Sequence, residues 1–195
     1  MRATWLALVV VAGCQPSVAS GTYLCGDEEL CPSGQACDGP TNTCVVASTA
    51  MPFTCMDMHE PDDTPQQAFA LPTFGCTSAL YSEDDCLAAG DAADWRSFAA
   101  PTGCTAVAAQ IEITSPIAFE PLALQLWDLT ANTMVATGGS CPPSETATGS
   151  DAACVTQTLV GGDSYGIAIQ PAGGGDCGGK CNFNRYSLQV QTVTP

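Results

Sequence analysis

Thirteen cysteines in 195 residues limit what this chain can fold into more than any other feature. Four are closely spaced, as Cys25-x5-Cys31-x5-Cys37-x6-Cys44. Eight more are spread along the remainder, at Cys55, Cys76, Cys86, Cys104, Cys141, Cys154, Cys177 and Cys181. Cys14 stands apart near the start. The two larger sets are even in number, so they can close as six disulfides with Cys14 left over. Zinc is the weaker reading of the compact set, which has no Cys-x2-Cys pair and no histidine. Paired thiols at this density belong to chains that leave the reducing cytosol.

The N-terminus agrees with export. A short charged start, Met1-Arg2-Ala3-Thr4, is followed by an unbroken apolar run over residues 5–12. That run is far shorter than the roughly 20 residues a membrane-spanning helix needs, and it fits the apolar core of a signal peptide. It ends in Val11-Ala12-Gly13-Cys14, which resembles the lipobox of bacterial lipoproteins. The resemblance implies removal of residues 1–13 and acylation of Cys14 by a diacylglyceryl group and an N-acyl (palmitate-type) chain. Two or more chains anchor stably where one does not. Gln15 in the following position implies sorting to the outer membrane, so the expected location is the cell envelope.

The processed chain would carry three basic residues, Arg96, Lys180 and Arg185, against twenty acidic ones, a formal charge of −17. This excludes nucleic acid and anionic lipid surfaces as partners, since both require basic patches. It is compatible with cation binding, although solubility alone accounts for most such charge.

Composition divides the chain into a small polar tether (14–22), a cysteine-dense unit (23–46), a linker (47–54) and a main module (55–195). The unit at 23–46 is too short to bury a sufficient core; two crosslinks, each worth about 2–4 kcal/mol, take over that role. Three pairings are open to it. The main module reads as all-β, with candidate strands at 94–98, 106–113, 117–127, 133–137, 154–160, 164–170 and 185–193 between Gly, Pro, Asp and Asn clusters. Val107, Ala109, Ile111 and Ile113 share one face, as do Leu122, Leu124 and Leu126, and Tyr186, Leu188 and Val190. One helical turn is expected at 66–69. Many short strands of this kind pack as two sheets, a disulfide-braced, jelly-roll-like β-sandwich.

Five stretches, in order, carry a family resemblance. They are Glu60-Pro61-Asp62-Asp63-Thr64, Gly90-Asp91-Ala92-Ala93-Asp94-Trp95, Leu122-Ala123-Leu124-Gln125-Leu126-Trp127-Asp128, Gly162-Asp163-Ser164-Tyr165-Gly166-Ile167 and Tyr186-Ser187-Leu188-Gln189-Val190. Together they resemble the bacterial pre-peptidase C-terminal (PPC) domain over residues 58–193. Asp62 stands where that family usually has asparagine, Ala92-Ala93 lengthens the acidic turn by one residue, and the eight cysteines are additional. The resemblance implies a non-catalytic β-sandwich and, as in some members of the family, a calcium site built from Glu60, Asp62, Asp63, Asp91 and Asp94; the alternative is a solvated acidic edge. Calcium takes six to eight hard oxygen ligands, which two acidic stretches meeting at one sandwich edge can supply. Glu83-Asp84-Asp85 reads instead as an exposed loop.

Other motifs lose to plainer readings. Gly162-Asp163-Ser164-Tyr165-Gly166 matches the Gly-x-Ser-x-Gly pattern of serine hydrolases, but a strand follows it and the single histidine, His59, lies upstream. Gly179-Lys180-Cys181 lacks the Ser or Thr of a phosphate loop. Cys177 and Cys181 read as crosslinks rather than a redox pair, with no thioredoxin-like βαβ pattern around them. The expected function is therefore non-catalytic: an envelope lipoprotein presenting a binding module to an extracellular polymer or protein. The alternatives are a small hydrolase using Ser164 and a protease inhibitor acting through residues 23–46.

Overall fold

The computed structural model describes residues 18–88, 90–142, 148–172 and 184–195. The expected signal peptide, Cys14, Cys177, Cys181 and the glycine-rich stretch at 174–181 lie outside the described residues. The fold is all-β. Among the described residues no helix is long and apolar enough to cross a membrane.

Two strands, β1 (Gln35–Asp38) and β2 (Thr43–Val46), form a hairpin in the small N-terminal unit, with Cys37 opposite Cys44. Of the three pairings open to this unit, the structure has Cys25–Cys37 and Cys31–Cys44. Asn42 sits at φ 54° in the turn, a left-handed conformation that Asn tolerates.

The main module contains β3 (Phe69–Ala70), β4 (Tyr81–Leu87), β5 (Asp94–Ala99), β6 (Ala108–Pro116), β7 (Leu122–Asp128), β8 (Thr133–Thr137), β9 (Gly139–Ser140), β10 (Ser150–Thr158), β11 (Ser164–Pro171) and β12 (Asn184–Val193). They form two five-stranded sheets, in the orders β4-β12-β6-β10-β9 and β3-β5-β11-β7-β8. All pairings are antiparallel except β3 with β5. The helical turn expected at 66–69 is a tight turn closed by Gln67 N–H on the Thr64 carbonyl, and it runs into β3. Among the described residues three further disulfides, Cys55–Cys86, Cys76–Cys104 and Cys141–Cys154, brace the module.

Strand alternation builds the core. Ala109, Ile111 and Ile113 from β6, Leu188 and Val190 from β12 and Val155 from β10 face Leu124 and Leu126 from β7 and Tyr165, Ile167 and Ile169 from β11. The central strand β11 is also covered outside, where Trp95 and Trp127 flank it with ring centroids 6.0 Å apart. Gly166 is required beneath them, because a Cβ there would lie 2.9 Å from Leu129 and 3.1 Å from Trp95.

The small unit is fastened to the sandwich. Cys25 and Cys44 bury against Ala118 and Phe119, and Phe53 packs on Phe119 with centroids 5.7 Å apart. Arg185 lies over both rings, 5.3 Å from Phe53 and 5.9 Å from Phe119, and donates to the carbonyls of Gly39 (2.8 Å) and Pro40 (2.7 Å). Gly39 also bonds backbone to backbone with Met51. Residues 51–53, within the expected linker, are thus held by both bodies. Arg185→Ala removes the stacked cation and both carbonyl bonds. Limited proteolysis should then cleave residues 47–54 several-fold faster, with cleavage inside the sandwich unchanged; equal rates would refute the clamp.

Candidate functional site

The acidic residues converge where β4, at the edge of one sheet, faces β5, near the edge of the other. Asp94 and Arg96 point inward from β5 by the same alternation that buries Phe98. Both are fully buried, as is Asp62. The preceding segment closes this edge: Trp95 N–H donates to the Asp62 carbonyl, and Cys55 is bonded to Cys86 of β4.

Arg96 organises the site. Its Nε donates to Glu83 (2.6 Å), its Nη2 to Asp85 (2.7 Å) and to the Tyr186 hydroxyl (3.0 Å), and its Nη1 to Asp62. Tyr186 in turn donates to Asp94 Oδ2 (2.6 Å). One side chain therefore ties β5 of one sheet to β4 and β12 of the other. His59 stacks on Phe69 with centroids 3.8 Å apart, and its Nε2 lies 3.5 Å from Glu83 and 3.8 Å from Asp85.

The charges do not balance. Among the described residues, Asp62, Glu83 and Asp85 bond to one guanidinium, and Asp57 and Asp94 lie beside Asp62. One oxygen of each of Asp57, Asp62 and Asp94 is engaged, by the His59 N–H, Arg96 and Tyr186 respectively. The other oxygen of each, Asp57 Oδ2, Asp62 Oδ1 and Asp94 Oδ1, is buried without a hydrogen-bond partner. A carboxylate oxygen from each of these three residues lies within 4.8 Å of the other two. Asp57, Glu60 and Asp91 form a second such group, on the outer side and sharing Asp57.

Protonation equilibria record the imbalance. Burial pushes Asp62 up to about 7 against the opposing pull of Arg96, and Asp57 and Glu60 add repulsion. Burial likewise pushes Asp94 up to about 8, although the Tyr186 hydrogen bond opposes it. Asp85 and Tyr186 are raised by burial too. Burial of Arg96 disfavours its charge, but Tyr186, Glu83 and Asp62 outweigh this and hold its pKa above the usual value.

No protein-family model and no curated protein matches the sequence. Among solved structures, the chain is similar to the pre-peptidase C-terminal domain of a collagenase from Bacillus anthracis. The identity is 14%, the match covers 65% of this chain and 97% of that one, and the TM-score is 0.44. It is also similar to the C-terminal CBM6 of a marine laminarinase from Zobellia galactanivorans, at 11% identity, 57% and 90% coverage and TM-score 0.31. A third is a carbohydrate-binding module from a Cellvibrio mixtus lichenase, in complex with cellotriose, at 15% identity, 59% and 88% coverage and TM-score 0.30.

Of the residues expected to ligate calcium, Asp62 and Asp94 fall in the buried group, Glu60 and Asp91 in the outer one, and Asp63 in neither. Asp57, common to both groups, was not among them. Its signal was the alternation of Cys55-Met56-Asp57-Met58-His59, with Cys55 fixing the register beside β4. Glu83-Asp84-Asp85, expected as an exposed loop, is instead the middle of β4. Asp85 is buried and, with Glu83, answers Arg96, while Asp84 points outward to Ser187. Ser164 opens β11, and its N–H donates to Thr130 Oγ1. His59 lies with Glu83, Asp85 and Phe69.

Proposed function

We propose that this chain is a non-catalytic, lipid-anchored protein of the cell envelope, sorted to the outer membrane. Its PPC-like sandwich is braced by a calcium ion and presented outward as a binding module for a polymer or protein partner. The observation that carries the cation is the trio Asp57, Asp62 and Asp94, each with one buried, unpartnered carboxylate oxygen and with carboxylate oxygens within 4.8 Å of one another. Hard oxygen donors without sulfur or imidazole suit calcium rather than a transition metal. Asp57, Asp62 and Asp94 would hold the ion, with Glu60 and Asp91 on its outer side. The ion would supply positive charge to an edge that has too little.

The same residues speak for bracing over catalysis. Arg96, Tyr186 and the acids are tied into one network that joins the sheets, and Ser164 is separate from it. The anchor rests on the Val11-Ala12-Gly13-Cys14 stretch and on the parity of the remaining cysteines.

The test is metabolic labelling with an alkyne palmitate analogue in the native host. The label should map to Cys14 and the protein should sediment with membranes, whereas Cys14→Ser should remain unlabelled and leave the membrane fraction. Unacylated wild-type protein in the cytosol, or a fluorophosphonate probe on Ser164, would defeat the reading.

A further inference from the structure

The outer face of the β4-β12-β6-β10-β9 sheet carries a groove of about 160 Å³ that the acidic site does not use. Its floor follows from register. Thr156 pairs with Gln110, and Gln110 with Gln191, so these three form one row straight across β10, β6 and β12. The next row, two residues on, is Cys154, Glu112, Gln189 and Ser82. Adjacent strands stand about 4.8 Å apart, so each row is a regular array of polar tips. Gln191 Nε2 donates to Gln110 Oε1 at 2.7 Å, which orients both amides. The bond uses the Gln110 carbonyl and one Gln191 donor, so the Gln110 amide donors and the Gln191 carbonyl remain among the polar groups of the lining residues.

The walls are apolar. The Cys141–Cys154 disulfide pins the chain across this face and sets Pro142 on one side, and Leu80, half-exposed, forms the other. A sheet face that would otherwise be flat is thereby given a covalently fixed wall.

We infer that this groove binds a neutral polysaccharide segment. The reading deepens, and rests on, the binding-module function. Primary amides pair donor and acceptor in one plane, which suits hydroxyl groups that both donate and accept. Leu80 and Pro142 suit the C–H faces of a sugar ring. Among the described residues no basic side chain lines the groove, Glu112 adds a carboxylate to it, and the chain as a whole is strongly acidic, so a polyanion is disfavoured. The amide floor is too polar for a lipid chain or an apolar helix.

Affinity electrophoresis of the soluble Cys14→Ser protein provides the test. Native gels would contain hydroxyethylcellulose, laminarin, dextran or galactomannan as neutral polymers, alginate as an acidic one and gelatin as a protein. The expected result is retardation by at least one neutral polymer and none by alginate. Gln189→Ala combined with Gln191→Ala should weaken it at least tenfold with an unchanged melting temperature, since both side chains lie outside the core. Retardation by no neutral polymer, or equal retardation of the variant, would overturn the inference. Retardation by gelatin alone would also overturn it, while leaving a binding module for protein. Failure here leaves the palmitate and serine-probe results standing, so the two readings fail separately.

Discussion

Replacing Arg96 with methionine is expected to destabilise the folded protein by about 3–5 kcal/mol, the range for removing one partner of a buried ion pair. The side chain is fully buried and bonds to Asp62, Glu83, Asp85 and Tyr186. Truncation would leave three carboxylates facing one another in a water-poor edge and would cut the link between the two sheets. In a domain of this size each kcal/mol moves the melting temperature by roughly 2–4 °C, so a fall of about 6–20 °C should follow. Arg96→Lys should recover little of it, because one ammonium cannot match a planar fork that meets several acceptors at once. Urea titration of the oxidised protein measures both variants. A loss under about 1 kcal/mol for Arg96→Met would mean that the network is not structural.

Much of the sandwich could be read in advance, and the reason is local. The alternating sets Leu122/Leu124/Leu126 and Tyr186/Leu188/Val190 bury on one side, so period two alone placed β7 and β12 facing the core. What escaped was β4, whose Tyr81-Ser82-Glu83-Asp84-Asp85-Cys86-Leu87 shows no apolar alternation. Its inward acids are tolerated only because Arg96, distant in sequence, answers them. A charge buried by a partner across the fold leaves no periodic trace. One clue was present: Arg96 is the sole lysine or arginine between Cys14 and Lys180, set two places after Asp94 in an alternating strand. An inward arginine in so acidic a chain demands several acids around it, and that demand would have pulled Glu83 and Asp85 out of the solvent.

The acidic edge could likewise be located from Glu60, Asp62, Asp91 and Asp94, but its centre could not. Asp57 belongs to a stretch outside any strand, two residues from the Cys55–Cys86 crosslink that ties the stretch to β4. Pairing of eight scattered cysteines is not decided by spacing, so that constraint was hidden. Asp62 is buried outside any strand, and its neighbour Asp63, at a bend, joins neither group.

The edge gives a pH signature whose sign is fixed. In chelator, folded Asp62 and Asp94 keep their protons up to about 7 and about 8, whereas the unfolded chain releases them near 3.8, the ordinary aspartate value. Between these limits the folded state binds more protons at these two groups, so the stability they contribute is full below about 4 and falls as pH rises toward 8. A tenfold change in a proton's affinity is worth about 1.4 kcal/mol, so the fall should reach a few kcal/mol and exceed about 5 °C in calorimetry. Calcium should replace those protons. At a hundredfold excess over its dissociation constant it adds about 2.7 kcal/mol, or roughly 5–10 °C, with the largest gain at pH 8 and little at pH 5. Asp57→Asn and Asp94→Asn should abolish the calcium response, and Asp94→Asn should flatten the pH dependence in chelator by removing one repelling charge. Asp63→Ala, whose carboxylate joins neither group, should respond as wild type does. A melting temperature at pH 8 that is the same in chelator and in millimolar calcium would overturn the calcium reading of this edge.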